Sequence, residues 1–264
     1  MKKLGLMHFG RSVGRTLKLA AIFAYAALEL IAKRPSTRRQ RAEWLHQLCL
    51  RAIRWMGFAV RSQGPFPERG VVIANHLGYL DVVAFAALHR CVFIGKSEIR
   101  RWPLLGWMST MAGTLYVHRG RGGSAGRAKQ GMREASDAGI PLVFFPEGTC
   151  SLGNTVLPFH SGLLGEAIEA GQPVTAAYIR YRLTLDNGPH RSLADVCFWD
   201  DTPLVVHIFR LLSLRGIEVE LCFAESPIAF SPVAATDRKI AAEEARAAVL
   251  ELRDATHSSP VILA

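Results

Sequence analysis

The strongest constraint on the fold is a rhythm that begins near Ala59. Short β-branched and aromatic runs alternate with windows of helical character. Val71-Val72-Ile73-Ala74, Cys91-Val92-Phe93-Ile94, Leu115-Tyr116-Val117, Pro141-Leu142-Val143-Phe144-Phe145, Val174 to Ile179 and Ile217 to Phe223 read as strands. Asp81 to His89, Ser124 to Ala138, Leu163 to Ala170 and Thr236 to Thr256 read as helices. Short runs that are apolar throughout suit strands buried on both faces. Strands separated by helices imply an α/β fold, a mostly parallel sheet flanked by helices.

The first 57 residues have a different pattern. Leu17 to Ala32 is apolar apart from Lys18 and Glu29, and Lys33, Arg34, Arg38, Arg39 and Arg41 follow. A spanning helix needs about 20 mostly apolar residues, and this run is shorter. Ala24-Tyr25-Ala26 resembles a signal-peptidase site, but Arg11, Arg15 and Lys18 make the basic lead too long for an ordinary signal peptide. A second helix is predicted from about Thr37 to Gly57. Trp44, Leu45, Leu48, Ile53, Trp55 and Met56 are interleaved there with Arg41, Arg51 and Arg54. That mixture suits a membrane headgroup boundary. The expected division is residues 1–57 as an amphipathic helical hairpin and 58–264 as the α/β domain.

Charge adds a partner class. The chain has 32 Lys and Arg against 22 Asp and Glu, a net charge of +10, so an anionic partner is expected. Nucleic acid and an acidic membrane surface both meet that description, but only the membrane makes use of the apolar run before the arginines. Membrane lipids are therefore the expected partner, and nucleic acid is not. Half of the residues are hydrophobic, which excludes a disordered chain. Five cysteines without CxxC spacing suggest neither a disulfide framework nor a zinc knuckle, and nine histidines show no metal-ligand spacing. No metal and no cofactor is expected. Scattered reduced thiols point to a cytoplasm-facing protein.

Ligands of open α/β sheets collect at the carboxyl ends of strands. Two such ends carry polar clusters. Asn75-His76-Leu77-Gly78-Tyr79-Leu80-Asp81 follows the first interior strand. A His and an Asp five residues apart across a turn can fold together, the carboxylate fixing the imidazole tautomer and stabilising its charged form. The bland alternative makes Asp81 a helix cap and His76 a turn residue. Phe145-Pro146-Glu147-Gly148-Thr149-Cys150-Ser151 follows a second strand, where Pro146 ends the strand and Gly148 permits a close backbone approach.

Together these clusters resemble the glycerolipid acyltransferases, the family of 1-acyl-glycerol-3-phosphate acyltransferases. Asn75-His76 through Asp81 matches an NHxxxxD box, and Phe145 to Ser151 is similar to an FPEGTRS block. Gly113-Thr114-Leu115-Tyr116-Val117-His118-Arg119 and Pro173-Val174 are similar to the second and fourth blocks, in the family's order. The amino-terminal helices resemble the family's membrane-docking segment.

The resemblance implies a reaction and a set of roles. His76 takes the proton of an acceptor hydroxyl, and Asp81 orients and charge-stabilises the imidazole. The hydroxyl oxygen attacks the thioester carbonyl of acyl-CoA or acyl-ACP. A thioester is already activated, so no covalent enzyme intermediate is required. Arg119 holds the acceptor's phosphate with its guanidinium fork. Glu147, Gly148 and Thr149 shape the acceptor site, and Asn75 donates a hydrogen bond within its own turn. The implied product is phosphatidic acid from 1-acyl-glycerol-3-phosphate. The alternatives are acylation of another lysolipid, such as lyso-ornithine lipid, or a non-catalytic membrane- or nucleic-acid-binding protein of this fold. The expected location is the cytoplasmic face of the inner membrane, monotopic or single-pass.

Two positions depart from the family pattern. His118 stands where an acidic or small residue is usual, and Cys150 stands where the third block has Arg. Arg121, Arg127 or Lys96 is expected to supply the missing positive charge, unless the acceptor carries less negative charge. Nothing near Cys150 in sequence argues for an activated thiolate. Finally, Phe198 to His207 reads as a loop leading into a helix capped by Thr202, with a substrate-gating loop as the alternative.

Overall fold

The structure, a computed structural model, describes residues 6–102, 105–117 and 124–258. In chain order the elements are α1 (Leu6–Lys33), α2 (Arg38–Met56), β1 (Ala59–Gln63), β2 (Val71–Ala74), α3 (Tyr79–Leu88), β3 (Val92–Lys96), α4 (Leu105–Met111), β4 (Leu115–Val117), α5 (Ser124–Asp137), β5 (Leu142–Phe144), α6 (Ser161–Glu169), β6 (Val174–Leu183), α7 (Leu204–Leu211), β7 (Ile217–Phe223) and α8 (Arg238–Ser258). The strands form one seven-stranded sheet in the order β1-β7-β6-β2-β5-β3-β4. From β6 to β4 every neighbour is parallel, while β7 runs antiparallel to β6 and parallel to β1. The sheet is therefore mostly parallel, as the strand–helix rhythm implies. β1 and α4 add to the elements read from the sequence, and α7 is the helix expected after the Phe198 loop. The exposed β1 (Ala-Val-Arg-Ser-Gln) lacks the apolar signature of the interior strands.

Alternation along each strand divides the core into two layers. Val72, Val143, Ile179, Leu221 and Phe223 face one way and pack with Phe85 of α3 and Leu48 of α2. Val71, Ile73, Phe144, Ala176 and Tyr178 face the other way, against Met132 of α5, Leu164 of α6 and Ala245 of α8. Helices cover both faces, which explains why the central strands are apolar on every residue.

The amino-terminal helices join this body. α1 buries Ser12, Ile22, Ala26 and Leu30, a stripe at helical spacing. Its basic residues close the end of α7: Arg11 Nη1 donates to the carbonyl of Ser213 at 2.6 Å, and Arg15 to those of Leu212 and Leu214. These carbonyls lie at a helix C-terminus, where cations are favoured. Ser12 Oγ adds a bond to the carbonyl of Phe209 at 2.8 Å. Glu29 links α1 to α2 by pairing with Lys33 at 2.8 Å and Arg51 at 2.7 Å.

α2 starts at a capping box built by Thr37 and Gln40 and ends at Gly57, left-handed with φ of 69°. Most of the apolar residues that the sequence assigns to a headgroup boundary are inside the protein. Trp44, Leu48, Ile53 and Met56 are buried and Trp55 is exposed. The reason is tertiary: α2 lies on α3, where His46 Nδ1 meets the carbonyl of Ala86 at 2.7 Å. The outward apolar residues are instead on α1, where Leu6, Met7, Phe9, Leu17, Tyr25, Leu28 and Ile31 are exposed. Among the described residues, no helix is long and apolar enough to cross a membrane.

Candidate active site

β2 and β5 are hydrogen-bonded neighbours at the centre of the sheet. The two polar clusters leave their carboxyl ends side by side. Asn75 and His76 follow β2 directly, and the chain turns through Gly78 into α3. The turn brings Asp81 back onto the imidazole: Nδ1 of His76 lies 2.7 Å from Oδ2 of Asp81. The same oxygen accepts the backbone N–H groups of Leu77 at 2.7 Å and Gly78 at 3.1 Å. Oδ1 accepts the hydroxyl of Tyr181 on β6. Asp81 is fully buried, and both of its carboxylate oxygens are engaged. It is therefore more than a helix cap.

The third block wraps around His76. The ring of Phe145 stacks on the imidazole, with centroids 4.2 Å apart and planes 7° apart. Glu147 is buried. Its Oε2 accepts the backbone N–H of His76 at 3.1 Å, and its Oε1 that of Leu157 at 2.8 Å. The N–H of Ser151 donates to the carbonyl of His76 at 2.9 Å. Cys150, the residue before it, is half-buried. Gly148 has φ of 66°, a conformation that glycine adopts readily and that allows this turn. Thr149 is exposed at the crest.

These contacts set the protonation of the site. Burial pulls the pKa of His76 down, but Asp81 and the Cys150 thiol outweigh it and raise it to about 10. Burial pushes the Glu147 carboxyl up to about 7, against the two N–H donors that favour its ionised form. Burial likewise holds Tyr181 well above the usual phenol range, so its hydroxyl stays protonated and donates to Asp81.

The structure corrects two of the sequence expectations. Asn75 makes no bond within its turn to account for its side chain. It spans to β6, donating from Nδ2 to the carbonyl of Ile179 at 2.9 Å and accepting the N–H of Ile179 on Oδ1 at 2.8 Å. It is a buried clamp between neighbouring strands. Thr202 does not cap α7. That helix begins after Pro203 with no side-chain cap, and the N–H of Thr202 donates to Oδ1 of Asp200. The preceding segment braces the His76 turn, the N–H of Phe198 donating to the carbonyl of Leu77 at 2.8 Å and His207 Nδ1 meeting the hydroxyl of Tyr79 at 2.9 Å.

Arg119, His118 and Arg121 lie outside the described residues, as does the side chain of Arg127. Lys96 is exposed at the end of β3. Pro173 of the fourth block fixes the start of β6, its carbonyl accepting the N–H of Val71 at 2.9 Å. Tyr181 is the contributor that sequence reasoning missed. The strand read from sequence ends at Ile179, two residues short of it, and nothing local marks a tyrosine that will meet Asp81, 100 residues earlier. Among the described residues, no group of three or more His, Cys, Asp or Glu is arranged to hold a metal ion.

Comparison with known proteins agrees with this geometry. The family model described as Acyltransferase matches residues 57–180, which contain both clusters. The chain is similar to a lyso-ornithine lipid O-acyltransferase of Pseudomonas aeruginosa, 35% identical over 216 residues, covering 81% of this chain and 78% of that one. A protein of the same name from Brucella abortus is 33% identical, with 82% of each chain covered. A 1-acyl-sn-glycerol-3-phosphate acyltransferase of Neisseria gonorrhoeae is 32% identical, with 64% of each covered. The fold is similar to the crystal structure of the 1-acyl-sn-glycerophosphate acyltransferase PlsC from Thermotoga maritima. The TM-score is 0.58 at 22% identity, covering 92% of this chain and 98% of that one. Relatives 33–35% identical to this chain over about four-fifths of both lengths, with a family model matched to the segment that holds both clusters, make this chain a member of the acyltransferase family.

Proposed function

We propose that this protein is a lysolipid O-acyltransferase that moves a fatty acyl group from an acyl-CoA or acyl-ACP thioester to a lipid hydroxyl. The observation that carries the mechanism is the 2.7 Å contact between Nδ1 of His76 and buried Asp81. It commits Nδ1 as the protonated nitrogen and leaves Nε2 as the base. Nε2 takes the acceptor's proton as its oxygen attacks the thioester carbonyl. Asp81 stabilises the imidazolium that forms, and the proton then passes to the departing donor thiolate.

The acceptor is lyso-ornithine lipid. The Pseudomonas and Brucella relatives of that name align with this chain over more of their length than the Neisseria glycerophosphate enzyme does. Cys150 supports the same reading, since it removes a guanidinium that a phosphate-bearing acceptor would use. Arg119 is assigned to the acceptor's anionic group, and Glu147, Gly148 and Thr149 to shaping its site. The second reading, 1-acyl-glycerol-3-phosphate as acceptor, is favoured by the Neisseria relative. The protein works on the cytoplasmic face of the inner membrane as a monotopic enzyme, with the exposed apolar residues of α1 in the headgroup region.

The test is a direct competition. Purified enzyme is given labelled acyl-CoA or acyl-ACP with lyso-ornithine lipid or 1-acyl-glycerol-3-phosphate, and the products are separated. The expected result is a higher kcat/KM for lyso-ornithine lipid and loss of turnover in His76→Ala. Undiminished turnover in His76→Ala overturns the mechanism. A higher kcat/KM for the phosphate acceptor overturns the choice of acceptor.

A further inference from the structure

α7 carries a buried histidine, His207, to which the reaction described above gives no role. Its Nε2 lies 2.9 Å from the carbonyl of Cys197, and its Nδ1 lies 2.9 Å from the hydroxyl of Tyr79. A carbonyl can only accept, so Nε2 carries the proton. Burial lowers the pKa of the ring from the ordinary histidine value, which keeps it neutral. Nδ1 is then an acceptor, and the Tyr79 O–H donates to it. Both contacts lead to the turn that holds Asp81 on His76.

The first contact runs through two peptide units. The peptide between Cys197 and Phe198 accepts from His207 at its oxygen, and its N–H donates to the carbonyl of Leu77 at 2.8 Å. That carbonyl belongs to the peptide between Leu77 and Gly78, whose N–H donates to Oδ2 of Asp81 at 3.1 Å. The same oxygen lies 2.7 Å from Nδ1 of His76. Each peptide is planar, so a bond made at its oxygen fixes the direction of its N–H. Bonds in such a chain also polarise one another in a low-dielectric interior, so a donor at one end strengthens the donor at the other.

The second contact holds Tyr79, which follows Gly78 and begins α3. The Tyr79 ring lies 5.8 Å from that of Phe198 and meets the His207 ring edge-on at 5.7 Å. Phe198 also closes the space beside Gly78, where a Cβ would come within 3.2 Å of it. α7 is itself anchored by α1, since Ser12 Oγ donates to the carbonyl of Phe209, two residues beyond His207.

We propose that His207 is a positioning residue for acyl transfer, setting through Tyr79 and the two peptides the direction and donor strength of the N–H that holds Asp81. It neither touches substrate nor exchanges a proton in the reaction. Without its Nε2–H, Gly78 becomes a weaker donor to Oδ2. The carboxylate is then less satisfied and draws more strongly on the imidazolium, so His76 keeps its proton to higher pH. This inference rests on the reading of His76 as the base for acyl transfer.

The experiment uses the full chain with labelled palmitoyl-CoA, and lyso-ornithine lipid or 1-acyl-glycerol-3-phosphate in parallel arms. His207→Leu is expected to lower kcat about tenfold with either acceptor, because a small misplacement of a catalytic group is costly. KM should stay close to wild type, and the rise of kcat with pH should move to higher pH. Tyr79→Phe, which keeps the ring, should shift the profile in the same direction by less. Added to His207→Leu it should cost nothing further, since both changes break one network. His207→Gln, whose amide N–H can reach the Cys197 carbonyl, should recover most of the rate and the wild-type profile. A wild-type kcat and profile in His207→Leu overturns the inference. So does a lowered kcat with an unmoved profile and no recovery in His207→Gln, which is the result of a purely structural role. A loss confined to one acceptor also overturns it, since that result makes His207 a binding residue. If His207→Leu fails to fold, the pH profile of Tyr79→Phe decides in its place. Turnover that persists in His76→Ala overturns the underlying reading instead.

Discussion

The hydroxyl of Tyr181 donates to Oδ1 of Asp81, while Oδ2 of the same carboxylate holds the imidazole of His76 at 2.7 Å. The tyrosine belongs to β6 and the aspartate to the first turn of α3, so the pair fixes the catalytic turn to the sheet. Both residues are buried, and water cannot replace the phenol. Tyr181→Phe removes one donor from a charged acceptor, a loss of about 1.5–3 kcal/mol in stability. It also leaves the carboxylate less satisfied and more attractive to the imidazolium. We expect the rise of kcat with pH to move to higher pH, which a pH–rate profile of the variant measures. An unchanged profile with lowered stability would reduce Tyr181 to a structural role.

The protonation of His76 predicts a second result. Its pKa is raised from 6.5 to about 10, against burial and by Asp81 and Cys150. The base form therefore grows as pH rises, and kcat/KM should increase through the alkaline range until the imidazole titrates near about 10. Asp81→Asn removes the carboxylate and leaves burial to act, so the rise should move to lower pH. Its maximum should fall about 10²–10⁴-fold, because general-base catalysis then loses its oriented tautomer. The stability linkage has a matching sign. The ion pair stabilises the fold fully below 6.5, and the contribution is lost as pH rises through about 10.

Glu147 joins the two clusters by accepting from the backbone of His76 and of Leu157. Glutamine offers one carbonyl oxygen and sets an amide NH₂ against the second N–H donor. Glu147→Gln is expected to cost about 1–3 kcal/mol, the range for one buried unsatisfied donor, and to lower kcat by displacing His76. Denaturant unfolding and initial rates check both. Because burial raises the carboxyl to about 7, the folded state holds its proton more tightly than the unfolded chain does. The contribution of Glu147 to stability should be greatest below 4.5 and fall as pH rises to about 7, a slope absent from Glu147→Gln.

Asn75 gives a contrasting prediction. Its two bonds to Ile179 are buried in the sheet, so its role is structural. Asn75→Ala leaves the N–H and the carbonyl of Ile179 without their partners. We expect about 1–3 kcal/mol of destabilisation per orphaned group. At a temperature where the variant is folded, KM for the lipid acceptor should be close to wild type. A raised KM with normal stability would return Asn75 to the substrate.

The outward face of α1 predicts a membrane phenotype. Leu17 and Leu28 are exposed and apolar. A leucine side chain buried in an apolar phase is worth about 1.5–3 kcal/mol, so replacing either by Glu should weaken vesicle binding about tenfold or more. Sedimentation with vesicles containing anionic lipid measures it. Binding unchanged in Leu17→Glu/Leu28→Glu would exclude α1 as the docking surface. Both side chains are about two-thirds exposed, so the fold should be unaffected.

The sequence by itself determined the α/β class, the central strands and the polar clusters at their ends. Those signals are local: an all-apolar strand such as Val71 to Ala74, a helix period, a Pro or Gly where a strand must stop. Even the contact of His76 with Asp81 was legible, since it closes within one turn. Other relationships needed the tertiary structure, because they join residues far apart in sequence. Sheet order put Glu147 under the backbone of His76 across a separation of 71 residues. It also brought Tyr181 to Asp81 across 100. The packing of α2 on α3 turned Trp44 and Leu48 inward, although their pattern fits a membrane boundary equally well. Burial set the protonation of Glu147, and depends on neighbours that no local window contains.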